Sequence, residues 1–296
     1  MRKYGWIIYN GHLPGGKFLD FAEWMQDAAK RLGITTDVIK NNHLLSILGS
    51  TGVSLIERAK HQRPDFVLFG DKDINLAKQL ELLNIPVFNS SDAIEISDNK
   101  ISTYQRLAAK KLPIPRTIVG PKIFPGVKEI DTSSFDMIEN YFNFPVVVKE
   151  AYGSFGEQVY LVHSKQGLID RISEIRDRPF VIQEFISSSY GIDIRLNVVG
   201  DEVVASMLRN STDDFRANVS AGGTMKSYQP SKVEIETAIA ATKAIGADFA
   251  GVDLLFGPNK EPIICEINSN AHIRNIYDCT NINVAEYIMD YIFKRC

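Results

Sequence analysis

Two apolar segments late in the chain most constrain what it can fold into: Gly251-Val252-Asp253-Leu254-Leu255-Phe256 and Ile263-Ile264-Cys265-Glu266-Ile267-Asn268. Each reads as a short strand, and each carries oxygen-bearing side chains within a hydrophobic run. Side chains alternate between the two faces of a strand, so Glu266 and Asn268 share one face and Ile267 points to the other. If the two strands are neighbours, Asp253, Glu266 and Asn268 converge on one pocket. Two carboxylates and an amide, with no Cys or His pair nearby, suit a hard cation such as Mg²⁺ or Mn²⁺ that keeps waters and bridges phosphates. The alternative is a hairpin whose acidic residues face water. A buried strand rarely holds Glu and Asn on one face without partners, which favours the cation site.

Lys149 closes a second apolar strand, Phe144-Pro145-Val146-Val147-Val148-Lys149. The loop Glu150–Glu157, with Gly153 and Gly156, then leads to another strand, Gln158–Val162. A strand, a flexible loop and a strand can fold over a triphosphate, with backbone N–H groups on the phosphates and Lys as a point charge. Such a loop is expected to be mobile until nucleotide binds. Taken alone, it is equally a Gly-containing hairpin loop. There is no Gly-Lys-Ser/Thr and no G-x-G-x-x-G, so neither a Walker loop nor a dinucleotide fingerprint is present.

The order of motifs is more specific than any one of them. Asp98-Asn99-Lys100 opens a helix, and Ile114-Pro115-Arg116-Thr117, Val147-Val148-Lys149 and Val181-Ile182-Gln183-Glu184-Phe185-Ile186 follow. Then come Gly191-Ile192-Asp193-Ile194-Arg195, Asp214-Phe215-Arg216-Ala217-Asn218, Gly222-Gly223, Gly251-Val252-Asp253 and Glu266-Ile267-Asn268. From about Asp98 to the C-terminus this series resembles an ATP-grasp carboxylate–amine ligase of the RimK type, with its relatives in lysine biosynthesis. The resemblance implies an α/β chain in which an ATP-grasp fold is preceded by a small parallel-sheet N-terminal domain. It places that first domain at 1–97 and the ATP-grasp domain at 98–296, with a glycine-containing lid in 98–185 and the metal and substrate half in 186–296.

The same resemblance implies ATP and two Mg²⁺ or Mn²⁺ ions. Lys100 and Lys149 would contact ATP phosphates. Gln183, Glu184, Phe185 and Ile186 would form the adenine strand, and Asp193 would accept a ribose hydroxyl. Arg195, Arg209 and Arg216 are the cations expected near the γ-phosphate and the substrate carboxylate, because Arg matches both groups bidentately. Of these, Arg216, Arg195 and Lys149 are the candidate catalytic residues, and Asn218 is expected in the same cluster as Arg216. After Asn268, RimK-type enzymes continue with a small residue, Ser, Pro and Gly. This chain instead has Ser269-Asn270-Ala271-His272-Ile273-Arg274. Ser269, Asn270 and His272 are therefore expected to set substrate choice, and the change puts glutamate as substrate in doubt. An ordinary exposed loop His remains the alternative for His272.

The implied activity is amide or peptide bond formation between a carboxylate, such as an amino acid, and an amine, through an acyl phosphate. The acceptor is a small molecule or a peptide or protein terminus. Alternatives are a specialised dipeptide or peptide-tailoring ligase with another acid, and a catalytically silent nucleotide-binding regulatory protein. Composition is compatible with these readings. At 296 residues, 45% hydrophobic and 23% charged, the chain has the profile of a globular enzyme of about two domains. A net charge of −3 argues against a dedicated nucleic-acid surface. No apolar run approaches the roughly 20 residues of a membrane span. Cys265, Cys279 and Cys296 give neither a disulfide framework nor a zinc spacing, which fits the cytoplasm. A homo-oligomer, dimer or tetramer, is expected.

Residues 1–97 alternate strand and helix: strands at Tyr4–Tyr9, Thr35–Ile39, Asp65–Phe69 and Pro86–Phe88, helices at Phe18–Leu32 and Asp73–Leu83. That alternation indicates a parallel sheet covered on both faces. Beyond it, helices are expected at Asp98–Lys111, Ser134–Tyr141, Lys165–Arg176, Ser231–Gly246 and Asn281–Lys294, with a hairpin of Ile192–Val199 and Glu202–Leu208.

Overall fold

The computed structural model of the chain describes residues 3–14, 16–153, 156–217 and 223–296. β1 (Tyr4–Tyr9) leads through α1 (Lys17–Arg31) to β2 (Thr35–Lys40). A hairpin of β3 (Leu44–Gly49) and β4 (Gly52–Glu57) follows, then β5 (Phe66–Gly70), α2 (Ile74–Leu82) and β6 (Val87–Phe88). The order β2-β1-β5-β6 makes a parallel sheet. Alternation explains its unbroken apolar strands. Ile7 and Leu68 pack on one face with Met25 of α1, while Trp6, Ile8, Val67 and Phe69 pack on the other with Leu76 and Leu80 of α2. Both faces are covered, so neither needs polar positions. Gly33, with φ of 73°, ends α1 in the left-handed conformation.

A helix that was not expected, α3 (Ser91–Asp98), runs straight up to Asn99. The helix expected at Asp98–Lys111 is α4 (Lys100–Ala109), capped by Asn99, whose Oδ1 accepts from the N–H groups of Ile101 and Ser102. β7 (Thr117–Val119), β8 (Val146–Glu150), β9 (Val159–Val162), α5 (Lys165–Ile175) and β10 (Phe180–Glu184) form the next layer. Their sheet is antiparallel, in the order β7-β10-β8-β9, with α5 packed on it. The helix expected at Ser134–Tyr141 is a 3-10 turn at Ser133–Asn140.

A third sheet carries the rest. β11 (Ile192–Val199), β12 (Glu202–Asn210), β13 (Thr224–Ser227), β14 (Phe249–Phe256) and β15 (Pro262–Asn268) lie in the antiparallel order β13-β12-β11-β14-β15. α6 (Lys232–Ala244) covers it, and is opened by a capping box of Ser231 and Glu234. α7 (Arg274–Thr280) and α8 (Val284–Arg295) end the chain. α8 starts three residues later than expected, where Asn283 caps it, and buries Ala285, Ile288, Met289 and Ile292. Those side chains meet α1 and the N-terminal sheet in one apolar cluster that also takes in Val199 and Met207 of the third sheet. The parallel sheet and the third sheet therefore share a core. No helix among the described residues is long and apolar enough to cross a membrane.

Gly5 shows how tight the N-terminal layer is, since an added Cβ would lie 2.3 Å from the Phe66 ring, which is fully buried. Gly5→Ala should lower unfolding stability in urea by about 1–3 kcal/mol through overpacking. Gly16→Ala, where nothing lies within 4 Å of the added atom, should stay within about 0.5 kcal/mol of the parent.

Candidate active site

The antiparallel ladder of the third sheet assembles a row of charges. Asp193 pairs across the strands with Arg209, Arg195 with Asp253, Asp253 with Glu266, and Gly251 with Asn268. Directly opposed residues share a face, and so do residues two apart, so all six polar side chains lie on one side of the sheet. The other side carries Ile194, Leu196, Val252, Leu254 and Ile267, buried against α4 and α6. The i, i+2 polar pairs that stood out in the sequence are the near face of an apolar wall.

Four of these charges are locked together. Arg209 donates to both Asp193 oxygens at 2.7 and 2.6 Å and reaches Asp253 at 2.9 Å. Arg195 donates to both Asp253 oxygens at 2.7 Å. Burial works against the Asp253 carboxylate, yet the two guanidiniums outweigh it and hold its pKa below the ordinary value. Glu266 is different: it has no ion pair among the described residues and lines the open cleft.

Between β14 and β15 the register shifts, with Asp253 facing Glu266 and Leu254 facing Ile264. Cys265 is the extra residue of this bulge. It lets Cys265 and Glu266 both border the cleft while Ile264 stays in the core.

The cleft lies between the second and third sheets and encloses about 910 Å³, counting its open mouth. Lys100, Lys149, Gln183, Glu184, Phe185, Ile186, Asp193, Arg209, Arg216, Asp253 and Glu266 line it, so these expected site residues come together. Lys149 is buried, donating to the Tyr104 hydroxyl at 3.1 Å and lying 3.7 Å from the Cys265 sulfur. Burial disfavours its ammonium, but Cys265, Tyr104 and Glu266 more than offset this and raise its pKa. Burial lowers the pKa of Lys100, against the pull of Glu266; its ammonium donates to the Gly153 carbonyl. Glu184 accepts from Arg116 at the rim, and Phe185 packs edge-on against Phe215 and Tyr190. Arg216 is gripped by Asp214 and touches the Gly156 carbonyl, joining the glycine loop to the third sheet.

Other expectations are redirected. Arg195 sits behind Asp253, outside the cleft lining. Asp193, expected to take a ribose hydroxyl, has both oxygens on Arg209. Asn218 lies outside the described residues, as do Ser154, Phe155 and Gly222. Ser269, Asn270 and His272 do not line the cleft, because they dock on the N-terminal layer. The Ser269 hydroxyl accepts from Ser97 at 2.7 Å, and Asn270 donates to the Asp71 carbonyl at 2.7 Å. The His272 ring packs on Phe18 with 5.6 Å between centroids; burial, Lys17 and Arg195 all lower its pKa.

Tyr104 and Asp214 were missed. Tyr104 follows Lys100 by four residues and so shares its helix face, a signal that was available.

The donor set fits a hard divalent cation and a polyphosphate. Asp253 and Glu266 offer oxygens side by side, and Lys100 and Lys149 stand in the same cleft. Asn268 keeps a buried amide nitrogen without an acceptor among the described residues; a half-turn of the amide would present its oxygen instead. No group of three or more His, Cys, Asp or Glu side chains is clustered for a metal among the described residues. The amide and the nucleotide would therefore complete the coordination.

Residues 97–292 match the family model described as the RimK-like ATP-grasp domain. A probable alpha-L-glutamate ligase of Legionella pneumophila is 34% identical over 221 residues, which is 74% of this chain and 70% of that protein. N-acetylaspartylglutamate synthase A of Homo sapiens is 33% identical over 253 residues, 82% of this chain and 63% of its own length. Among solved structures, a RimK domain ATP-grasp protein from Sphaerobacter thermophilus superposes with a TM-score of 0.71 at 17% identity, covering 98% of this chain and 99% of that one. With the family model matched over more than half of its length, the chain belongs to the RimK-like ATP-grasp family.

Proposed function

We propose that the cleft binds ATP with Mg²⁺ and that the chain joins a carboxylate to an amine. The observation that carries this reading is the row Arg209–Asp253–Glu266 lining one cleft with Lys100 and Lys149. The reaction is ATP-dependent carboxylate–amine ligation. A carboxylate oxygen attacks the γ-phosphorus, the bond to the bridging oxygen breaks and ADP leaves. The amine then attacks the acyl carbon, phosphate departs with the C–O bonding electrons, and the nitrogen loses a proton. Bound Mg²⁺ would neutralise phosphate charge as it develops.

The chain's own residues have defined tasks in this proposal. Lys100 and Lys149 hold phosphate oxygens; the buried Lys149 ammonium has a donor left after Tyr104 and Cys265. Glu184 to Ile186 border the base, with Phe185 and Phe215 as an aromatic wall. Asp253, Glu266 and Asn268 hold up to two cations. Arg216 binds the transferring group, and Arg195 reinforces Asp253. Residues 1–97 and 98–296 are proposed as the two domains.

Glutamate is proposed as one reactant, supported by the names of both relatives. Cations near His272, including Lys17 and Arg195, suit an acid with a second carboxylate. Ser269, Asn270 and His272, which lie outside the nucleotide cleft on the side of the N-terminal layer, and Asn218 are proposed to border that substrate. A cytoplasmic setting is supported by three free cysteines, and assembly into a dimer or tetramer by Leu45, Leu48 and Ile56 exposed on the β3–β4 hairpin.

Glu266→Gln should reduce ADP release by at least about 100-fold at saturating Mg²⁺ with the melting curve unchanged, because no ion pair is lost. Near-normal turnover would remove Glu266 from the metal site. Screening ADP release across acid and amine pairs, with mass spectrometry of products, should show turnover that requires glutamate; turnover without it reassigns the substrate.

The ion cluster separates stability from chemistry. Arg209→Leu strips Asp193 of its partner and should cost about 3–5 kcal/mol in urea unfolding, since uncompensated charge stays buried. The exposed Arg106, 3.9 Å from Asp92, should cost less than about 0.5 kcal/mol when changed to Ala.

A further inference from the structure

Asn89 follows β6 at the edge of the parallel sheet and is fully buried. Its amide makes four hydrogen bonds, all to residues 159 to 180 positions away. Its oxygen accepts from the N–H groups of Asp248 at 2.7 Å and Phe249 at 3.2 Å. Its nitrogen donates to the carbonyls of Phe249 at 2.9 Å and Ser269 at 3.0 Å. An amide has two donors and two acceptor sites, and here each has a partner.

The placement of those partners matters. Phe249 begins β14, four residues before Asp253, and Ser269 directly follows Asn268 at the end of β15. The ladder between the two strands stops at the Gly251–Asn268 pair. The Asn89 side chain therefore bridges the two strands just past the last rung, in place of another backbone pair. Only an amide suits this position. A carboxylate would face two carbonyl oxygens, and an apolar side chain would leave four buried backbone groups unpaired. Ser97 adds a bond to the Ser269 hydroxyl from the same N-terminal layer.

We propose that Asn89 is a positioning residue for the cation site, fixing the separation of the strands that carry Asp253 and Asn268. The parallel sheet is then part of the metal site although it supplies no ligand. This rests on the reading that Asp253, Glu266 and Asn268 hold the cation.

The test titrates Mn²⁺ into the full-length protein with ADP present, following free Mn²⁺ by electron paramagnetic resonance. ADP affinity in EDTA is measured separately by calorimetry. Asn89→Asp and Asn89→Ala should weaken Mn²⁺ binding about 10-fold or more, the range seen when outer partners of metal ligands are lost. Metal-free ADP affinity should stay within about twofold, because the base and phosphate residues lie on other strands. Ser97→Ala, which keeps the amide, should weaken Mn²⁺ binding by about 2- to 5-fold. Unchanged Mn²⁺ affinity in a folded Asn89→Asp protein overturns the inference, and so does an equal loss of metal and metal-free ADP binding. If neither Asn89 variant folds, Ser97→Ala decides, and unchanged Mn²⁺ affinity there overturns it. Glu266→Gln separates the two levels. If it loses Mn²⁺ and Asn89→Asp does not, positioning alone fails; if it binds Mn²⁺ normally, the metal assignment fails and the inference falls with it.

Discussion

Asp193 and Asp253 stand in the middle of an antiparallel sheet, each less than a tenth exposed, where an unpaired carboxylate would be expensive to keep ionised. Arg209 between them and Arg195 on the far side of Asp253 make that burial tolerable. The cluster dictates much of its surroundings. It needs both guanidiniums turned inward, which a half-exposed strand would not demand. It also needs β12, β11 and β14 in one register, since a slip of one residue would send every partner to the opposite face. The apolar side of the same strands is fixed at the same time, because Ile194, Val252 and Leu254 can reach α4 and α6 only when the charges face the cleft.

The cluster is nearly neutral by itself, which leaves the character of the cleft to the residues around it. Lys100 and Lys149 face Glu266, with Arg216 at the loop, so the space is rich in positive charge, with the Glu266 carboxylate beside it and no ion pair to that carboxylate among the described residues. That is a suitable balance for a polyphosphate accompanied by a cation, and a poor one for a neutral ligand. The buried Lys149 is the sharpest case. Its neighbours are a phenol and a thiol whose pKa values are both raised by burial. They act as hydrogen-bond partners and leave the positive charge uncancelled.

Much of this was legible in the sequence where a strong local rule applied. Asp253, Glu266 and Asn268 could be placed because polar residues two apart in an apolar strand have one geometric meaning. The parallel N-terminal sheet could be read because strand and helix alternate with long apolar runs. The missing parts were decided at a distance. α3 went unread because its eight residues end directly at the Asn99 cap that announces the next helix, and the β3–β4 hairpin was invisible because it turns so much apolar surface outward. The loop after Asn268 was read as bordering substrate from its proximity to a metal ligand. Its hydrogen bonds to Ser97 and Asp71 depend on how two sheets meet, which no local pattern encodes. Nor does any local pattern point Asn89 at Phe249 and Ser269.

The bulge at Cys265 changes the parity of β15. Ile264 and Ile267 are an odd number of positions apart, yet both sit in the same core, because one residue between them is not counted by the partner strand. Position 265 is therefore held less strictly than its neighbours. Because the partner strand does not count it, removing the residue would set Ile264 beside Glu266 on opposite faces of a regular strand and leave the pairings of Leu254 with Ile264 and Asp253 with Glu266 as they are. What the bulge adds is one more side chain on the cleft, so its loss would take away the thiol beside Lys149 and the extra local twist, not the alignment of the sheet.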